Sequence, residues 1–293
     1  MNNFDYKASK KALKGILKES RYIHTLGVVE EGLKLNKHFN LGFDEERVKA
    51  MCLLHDACKN HEQEYYEKYK DQFNIPEDFL RDKYKLHAYL ATIVGKLEYG
   101  CDDEEILEAI RIHTTGKMNM SNLEKLLYLA DAIEENRDYP GVKNIRKQGY
   151  KNLNLGVLAS MNNTISFLEH KGAKFYDDTY QIRDNIRRDI MQEKLEIVLK
   201  ACDDKLGEDI KTIEIGDKSS LGDYFVLVTG GSILQTKAIA NEIEEKIEDA
   251  GYEVYGKEGL RDGGWILLDL GDIIVHIFTK NQREFYNLEK LWD

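Results

Sequence analysis

Two histidines and two aspartates in the first half of the chain have the side-chain types of a metal site. His55 and Asp56 are adjacent within an apolar run, and Asp131 interrupts a second apolar stripe. An imidazole or a carboxylate is costly to bury unless it is paired or binds a metal. Together with His24, these residues form a mixed set of ligands that suits iron, manganese, cobalt or zinc. Such a metal lowers the pKa of bound water, so the set indicates hydrolytic chemistry.

Two cations accompany this set at helical spacing. Lys59 follows Asp56 by three residues, and Arg21 precedes His24 by three. Side chains at this spacing share one face of a helix. We therefore expect both cations beside the candidate metal ligands, where they can contact a phosphate group.

The elements that must position these residues are helices. Residues 1–190 show helical periodicity and no two-residue alternation, which predicts an all-α domain. Predicted helix starts are Asp44, Asp102 or Asp103, and Ser121, the last forming a capping box with Glu124. Four apolar helix faces are expected, and three of them carry a candidate site residue. The faces are Val48, Met51, Cys52 and His55; Leu86, Leu90, Ile93, Val94 and Leu97; Ile106, Ile110 and His113; and Leu123, Leu127, Ala130, Asp131 and Glu134.

The pattern changes near residue 190. A helix from about Met191 to Leu206 is followed by five β-branched runs: Ile210–Ile215, Tyr224–Val228, Tyr252–Tyr255, Trp265–Leu268 and Ile273–Phe278. An amphipathic helix is expected over Ile233–Ala250, and Gly271–Asp272 predicts a hairpin. With 293 residues, the chain is therefore expected to form two domains, residues 1–190 and an α+β or α/β domain at 191–293.

Charge separates the same two halves. The net charge is −11, and residues 191–293 hold 22 acidic and 12 basic side chains. Phosphate backbones require clustered Lys and Arg, so general nucleic-acid binding is not expected. A strongly acidic module instead favours a basic protein partner.

Composition also bears on location. No apolar run is long enough to predict a transmembrane helix, and Met1–Ser20 lacks the apolar core of a signal peptide. The four cysteines show no CxxC pair and no disulfide-like density. These features predict a cytoplasmic protein with no membrane partner.

The first half resembles the YqeK branch of the HD superfamily over roughly residues 8–188. The segments that carry this resemblance are Arg21-Tyr22-Ile23-His24-Thr25, Leu54-His55-Asp56-Ala57-Cys58-Lys59, Leu86-His87-Ala88, Ile112-His113-Thr114-Thr115-Gly116 and Tyr128-Leu129-Ala130-Asp131. The resemblance implies an all-α HD fold and the symmetrical hydrolysis of diadenosine tetraphosphate to two ADP.

The resemblance also implies roles for individual residues. The metal, expected to be iron with manganese or cobalt as alternatives, is bound by His24, His55, Asp56 and Asp131. Substrate contacts are expected from Arg21, Lys59, His87, His113, Thr114, Asp131, Arg137, Tyr176, Thr179 and Arg183. Either His87 or His113 donates a proton to the leaving ADP, and the choice stays open. The family's His-Pro pair near its end is replaced here by Tyr176-Asp177, although Thr179 and Arg183 match.

A Gly230-Gly231-Ser232 segment in the second half could indicate nucleotidyl transfer. That chemistry needs paired acidic residues on a strand about ten residues later, and here a helix is predicted instead. The segment therefore predicts a turn with Ser232 as the N-cap of that helix.

The second half resembles the RsfS (Iojap) ribosomal silencing factors from about residue 191 to the end. Its motifs are Asp223-Tyr224-Phe225-Val226, Gln235-Thr236-Lys237-Ala238-Ile239-Ala240, Gly264-Trp265-Ile266-Leu267-Leu268-Asp269, the run from Gly271 to Phe278 and the run from Arg283 to Trp292. This resemblance implies a nucleotidyltransferase-like mixed-sheet fold without catalytic acids. It also implies binding to the large ribosomal subunit through a basic protein on the intersubunit face, which blocks subunit joining.

Aromatic residues are the expected anchors of that interface. We predict contacts from His276, Tyr286 and Trp292, whereas Trp265 and Phe278 are expected to fill the core. Two alternative functions stay open. The protein could be an HD phosphohydrolase that acts on a mononucleotide, a dNTP or a guanosine alarmone, or a ribosome-associated adaptor with an inactive HD site. Whether it forms a homodimer also stays open.

Overall fold

A computed structural model describes residues 4–172, 178–216 and 222–292, with only the backbone described at residues 83 and 84. The chain forms two compact units, Met1–Ile186 and Arg187–Asp293. This division lies four residues before the boundary expected at residue 190, within one long helix. The predicted start of that helix near Met191 is therefore wrong, because helical structure already begins at Thr179.

The described part of the N-terminal unit contains helices and no strands, as predicted. Its helices are α1 (Tyr6–Ile16), α2 (Glu19–His38), α3 (Glu45–Leu54), α4 (Glu62–Tyr69), α5 (Glu77–Leu80), α6 (Lys83–Leu97), α7 (Glu104–Ile112), α8 (Asn122–Ile133), α9 (Val142–Gly149) and α10 (Leu153–His170). The next helix, α11 (Thr179–Asp204), begins in this unit and ends in the other.

The polar residues expected at helix starts make capping hydrogen bonds. The carboxylates of Asp44 and Asp103 each accept from backbone N–H groups two and three residues ahead. Ser121 and Glu124 form the predicted capping box at the start of α8. These bonds satisfy N–H groups that have no partner within the helix, which defines where α3, α7 and α8 begin.

The residues after α3 differ from the prediction. Because α3 ends at Leu54, His55, Asp56 and Lys59 do not share a helix face. The chain instead makes successive tight turns, in which the N–H of Lys59 donates to the carbonyl of Asp56 at 3.0 Å. The end of α3 thus presents an imidazole and a carboxylate to the interior of the bundle.

Helix α8 lies at the centre of the N-terminal unit. It packs against α2, α3, α7, α9 and α10, and every residue from Leu123 to Ala130 is buried. Leu129 contacts Gly149 of α9 and Gly156 of α10, where a Cβ atom would meet its side chain. The small residues let three helices approach closely, and this packing holds the end of α8 that bears Asp131.

The C-terminal unit contains a five-stranded sheet in the order β1-β2-β5-β4-β3. Its elements after α11 are β1 (Glu208–Glu214), β2 (Tyr224–Gly230), α12 (Ile233–Asp249), β3 (Gly256–Glu258), β4 (Trp265–Asp269), β5 (Ile273–Thr279), α13 (Lys280–Tyr286) and α14 (Glu289–Trp292). Strands β2 and β5 are parallel, and the other pairs are antiparallel. The sheet is therefore mixed, and the α+β class is confirmed.

One predicted strand is wrong and the predicted hairpin is confirmed. Tyr252–Tyr255 is not a strand, because Tyr252 is buried and its hydroxyl donates to Glu193 of α11 at 2.7 Å. The strand forms afterwards, at β3. The turn at Gly271 joins β4 to β5 with the expected antiparallel register, and Gly271 has a φ of 86°.

Helices pack on both faces of this sheet. Strands β2 and β5 are almost continuously buried; α12 packs on β2, β4 and β5, and α13 packs on β2 and β5. Ser232 caps α12 by accepting from the N–H of Gln235 at 3.2 Å, as predicted. Among the described residues, no helix combines the length and apolarity that a membrane crossing requires.

Candidate metal centre

Four side chains from three elements meet beside α8. His24 comes from α2, His55 and Asp56 come from the turns after α3, and Asp131 comes from α8. The Nε2 atom of His24 is 3.0 Å from Oδ1 of Asp131 and 3.8 Å from Oδ2 of Asp56. The Nε2 atom of His55 is 3.4 Å from Oδ2 of Asp56 and 3.8 Å from Oδ1 of Asp131. Two imidazole nitrogens and two carboxylate oxygens therefore converge on one point.

The orientation of His55 is consistent with a metal ligand. Its Nδ1 atom donates to the backbone carbonyl of Cys52 at 2.7 Å, which leaves the lone pair on Nε2. That Nε2 atom is buried and has no hydrogen-bond partner among the described residues. A buried nitrogen without a partner is costly, and a divalent cation would remove that cost. The residues present thus fit a divalent transition metal.

Both carboxylates are held ionised. Burial by itself raises the pKa of Asp56, but His55 and His87 outweigh it and hold the pKa well below its usual range. Burial likewise opposes ionisation of Asp131, whose pKa is lowered well below its usual range by Arg137 and His24. The centre therefore presents negative charge to a cation at neutral pH.

Two arginines contact these carboxylates. Arg21 donates to Oδ2 of Asp56 at 2.7 Å, and Arg137 donates to Oδ1 of Asp131 at 2.5 Å and to its backbone carbonyl at 2.8 Å. Each guanidinium is partly exposed, so it lies between the carboxylates and solvent. The sequence-predicted cations thus stand at the opening of the centre.

Glu134 is a site residue to which the sequence analysis assigned no role. Its side chain is 1% exposed, and its Oε1 atom accepts from Nδ1 of His24 at 3.0 Å. The other oxygen accepts from the backbone and side-chain nitrogens of Asn136. A Cβ at Gly27 would lie 2.2 Å from this carboxylate, so glycine is required beside it. The available signal was an acid on the apolar stripe of α8, three residues after Asp131.

Replacing Glu134 by glutamine is expected to lower the affinity for the metal by about 10- to 100-fold, because a second partner orients a ligating histidine and raises its basicity. Metal titration of the full chain measures this affinity. Glu135→Gln is the matched control, since Glu135 is adjacent and exposed. Equal affinities in the Glu134 variant and the wild type would show that Glu134 does not position His24.

Histidines 87 and 113 form a pair beside Asp56. Their Nε2 atoms are 3.3 Å apart, and Nε2 of His87 is 3.3 Å from Oδ1 of Asp56. His113 donates from Nδ1 to the carbonyl of Ile110 at 2.7 Å, so its Nε2 is an acceptor. Burial first, and then the neighbouring histidines, lower the pKa of His113 to about 3. Nε2 of His113 can therefore accept a hydrogen bond from Nε2 of His87, which also lies 3.1 Å from the ammonium of Lys59.

Lys59 and Thr114 complete this side of the centre. The ammonium of Lys59 is 3.1 Å from Nδ1 of His87, and burial lowers the pKa of this lysine. The hydroxyl of Thr114 is 3.3 Å from Nε2 of His113. The structure therefore brings together all four predicted metal ligands and six further predicted contact residues.

A cavity of about 360 Å³ opens on the centre, and we call it the phosphate cavity. Its predicted lining residues are Arg21, Asp56, Lys59, His87, His113, Thr114, Asp131 and Arg137. Tyr128, Ala132, Tyr139, Ser160 and Thr164 also line it and were not predicted. The three cations in this lining suit the cavity to an anionic substrate. The two histidines could transfer a proton to or from that substrate.

Three predicted substrate residues are not placed in this cavity. Tyr176 lies outside the described residues. Thr179 is the first residue of α11 and does not line the cavity. Arg183 instead donates to the carboxylate of its neighbour Asp184 at 2.6 and 2.9 Å. The predictions for these residues therefore have no geometric support here.

The C-terminal unit contains a separate aromatic cluster. Trp265 stacks on Phe278 with ring centroids 5.2 Å apart, and Trp292 meets Phe225 at 5.2 Å. Phe225 and Phe278 are buried core residues, and Trp265 and Trp292 are partly buried against them. The predicted core role of Trp265 and Phe278 is confirmed.

The three predicted interface residues differ in exposure. Tyr286 is 42% exposed, and Trp292 is partly buried. His276 is only 5% exposed; its Nδ1 accepts from the indole of Trp265 at 3.3 Å, and its Nε2 has no partner in the part of the chain that the structure describes. Tyr286 is therefore the most accessible of the three to a partner. Among the described residues, both groups able to hold a metal lie in the N-terminal unit.

Acid is expected to destabilise the C-terminal unit through His276. Burial lowers the pKa of this histidine to about 4, below its ordinary value of 6.5. As pH falls from about 6.5 to about 4, this histidine is therefore protonated in the unfolded chain but not in the folded one. The free energy of unfolding then decreases by up to about 1.4 kcal/mol per pH unit. Urea unfolding at pH 7.5 and pH 5 measures this loss. His276→Phe is expected to show a smaller loss, and an unchanged pH dependence would contradict the assignment.

The fold and the centre define the N-terminal unit as an HD-domain protein, and the family model described as "HD domain" matches residues 21–136. The family model described as "Ribosomal silencing factor during starvation" matches residues 188–293. The chain is also similar to a crystal structure described as a predicted HD superfamily hydrolase involved in NAD metabolism from Clostridium acetobutylicum. That likeness has a TM-score of 0.58 and 34% identity, and covers 63% of this chain and 98% of the other.

Curated relatives match each half separately. The symmetrical bis(5'-nucleosyl)-tetraphosphatase of Halalkalibacterium halodurans is 38% identical over 174 residues, which cover 56% of this chain and 87% of that protein. The ribosomal silencing factor RsfS of Bacillus subtilis is 45% identical over 98 residues, which cover 33% of this chain and 83% of that protein. The chain therefore belongs to the symmetrical bis(5'-nucleosyl)-tetraphosphatase family through its N-terminal region and to the RsfS family through its C-terminal region. Its N-terminal region is an HD-type hydrolase.

Proposed function

We propose that the N-terminal region, assigned to residues 1–190, hydrolyses diadenosine tetraphosphate symmetrically to two ADP. The observation that carries this proposal is the phosphate cavity, in which Arg21, Lys59 and Arg137 surround the candidate metal centre. A chain of four phosphates requires several cations, and the reaction requires a nucleophile near an inner phosphorus. The names of the relatives support the same substrate.

We propose His24, His55, Asp56 and Asp131 as the metal ligands, and iron as the metal. A bound divalent metal would lower the pKa of water and polarise a phosphoryl oxygen. Glu134 holds His24 in the orientation that ligation requires. Arg21 and Arg137 exchange contacts with the carboxylates for contacts with phosphate oxygens when substrate enters, since each is at the opening of the centre.

The proton for the leaving ADP is assigned to Nε2 of His87. The bond from Nδ1 of His113 to the carbonyl of Ile110 supports this choice, because it leaves Nε2 of His113 as an acceptor toward His87. The ammonium of Lys59 is 3.1 Å from both ring nitrogens of His87 and lines the same cavity, so it can also contact the departing phosphate. Thr114 lines the same side of the cavity and can contact the departing phosphate.

Product identification tests this function. The purified chain is analysed for metal and incubated with diadenosine tetraphosphate, and chromatography is expected to show ADP as the sole nucleotide product. AMP together with ATP would exclude symmetrical cleavage. No turnover with iron, manganese or cobalt, combined with turnover of a mononucleotide, a dNTP or a guanosine alarmone, would favour the alternative phosphohydrolase.

We propose that residues 191–293 bind the large ribosomal subunit through a basic protein of its intersubunit face and so block subunit joining. The acidic balance of this region and the similarity to RsfS proteins support the proposal. Tyr286 supplies an exposed aromatic anchor, and Trp292 and His276 are less accessible candidates. Both activities place the protein in the cytoplasm.

Sedimentation with isolated large subunits tests the silencing function. The full chain is expected to co-sediment at low and moderate salt and to dissociate at high salt, because complementary charge is screened. Tyr286→Ala is expected to weaken co-sedimentation, with Tyr66→Ala in the N-terminal unit as the control. Binding to ribosomes without any nucleotide hydrolysis would favour the adaptor alternative.

A further inference from the structure

A second cavity of about 530 Å³ lies along one face of α10. It shares Tyr139 and Thr164 with the phosphate cavity. Its other lining residues are Pro140, Asn163, Ser166, Phe167 and His170. We call it the α10 groove. None of these five residues was assigned a role from sequence, and the groove adjoins the phosphate cavity at the two shared side chains.

Ring side chains form two walls of this groove. Tyr139 and Pro140 lie in the segment between α8 and α9, and Phe167 and His170 lie one turn apart on α10. The hydroxyl of Tyr139 donates to the carbonyl of Ala132 at 2.8 Å, so its ring is fixed in place. Phe167 is 54% exposed and therefore does not serve the core. Planar walls of this kind suit a flat heteroaromatic ring.

Polar groups lie beside these rings. Asn163, Thr164 and Ser166 all line the groove and can hydrogen-bond to ribose hydroxyls or to the edge of a base. Asn163 occupies space that a side chain at Gly141 would fill, because a Cβ there would lie 2.0 Å from its Oδ1 atom. Gly141 also has a φ of 95°, which favours glycine. The local chain path thus makes room for the amide.

We propose that the α10 groove binds one nucleoside of the dinucleotide substrate, with its base against Phe167 and its phosphate chain directed into the phosphate cavity. This inference rests on the proposed hydrolase function. The two adjoining cavities match such a ligand: rings and hydrogen-bonding side chains line the groove, Tyr139 and Thr164 line both, and the cations line the phosphate cavity. A nucleoside with attached phosphates has the same order of apolar, hydroxylated and anionic groups.

Binding of ADP and of inorganic pyrophosphate to the full chain tests this inference. With manganese present, Phe167→Ala is expected to raise the Kd for ADP about tenfold, because base–aromatic stacking contributes at this scale. The Kd for pyrophosphate is expected to stay unchanged, since pyrophosphate has no base. Phe167→Tyr is expected to retain ADP affinity. Leu97→Ala is the matched control, because Leu97 is 49% exposed, lies at the end of α6 and does not line the groove.

The outcomes separate this inference from the hydrolase proposal. Unchanged ADP affinity in Phe167→Ala, or an equal loss for ADP and pyrophosphate, overturns the groove assignment even if the wild type releases ADP from diadenosine tetraphosphate. A selective loss of ADP affinity supports the groove. If the wild type then fails to cleave the tetraphosphate, the hydrolase proposal fails while the nucleoside site stands.

Discussion

Asp56→Asn is expected to lower kcat for diadenosine tetraphosphate by about 1000-fold or more. Asp56 lies at the centre of the candidate site, where its two oxygens meet Arg21, His55 and His87. An amide keeps the shape of the carboxylate but cannot supply its negative charge to a cation. Metal-assisted stabilisation amounts to several kcal/mol, and each 1.36 kcal/mol changes the rate tenfold.

Steady-state rates and metal content of the purified variants measure this effect together. Asp44→Asn is the matched control, because asparagine is also a good N-cap and Asp44 lies at the start of α3, at the opposite end from Asp56. Thermal unfolding checks that the Asp56 variant is folded. Full activity in Asp56→Asn, with ADP still the product, would place the reaction elsewhere in the protein.

Gly156→Ala is expected to destabilise the N-terminal unit by about 3 kcal/mol, which for a unit of this size lowers its Tm by about 6–12 °C. A Cβ at residue 156 would lie 2.5 Å from the Cα of Gly149 and 2.8 Å from Leu129. Because the nearest atom belongs to the backbone of α9, the two helices must separate. The displaced Leu129 is two residues from Asp131, so metal affinity is expected to fall as well.

Gly15→Ala supplies a control of opposite sign. Gly15 lies near the end of α1, and a Cβ there would meet nothing within 4 Å. Alanine at an open helical position adds about 0.5–1 kcal/mol of stability. Calorimetry of both variants should therefore show shifts in opposite directions. If Gly156→Ala unfolds at the wild-type temperature, the close packing of α9 and α10 is incorrect.

Local sequence signals predicted much of this protein. Asp44, Asp103 and Ser121 cap the helices they were expected to cap, because a capping bond spans only two or three residues. Helical periodicity in the first half and β-branched runs in the second correctly separated an all-α half from a mixed-sheet half. The His55–Asp56 pair indicated a metal centre because its chemistry is unusual in an apolar run.

Local signals failed where a distant contact decided the outcome. Tyr252 resembles a strand residue, but it is buried with its hydroxyl on Glu193 of α11, 59 residues away, and the strand begins only at Gly256. His55 and Asp56 reach the centre through turns rather than a helix face, because α3 ends at Leu54. Neither departure is visible within a window of neighbouring residues.

The sequence by itself determined the two families, the division of charge and the residue types of the centre. Only the tertiary structure decided that Glu134 orients His24, since the two residues are 110 positions apart. It also decided that the rings of His87 and His113 meet beside Asp56, and which face of α10 adjoins the phosphate cavity. The physical reason is that residue type reports what a side chain can do, whereas packing between distant helices decides which partner it meets.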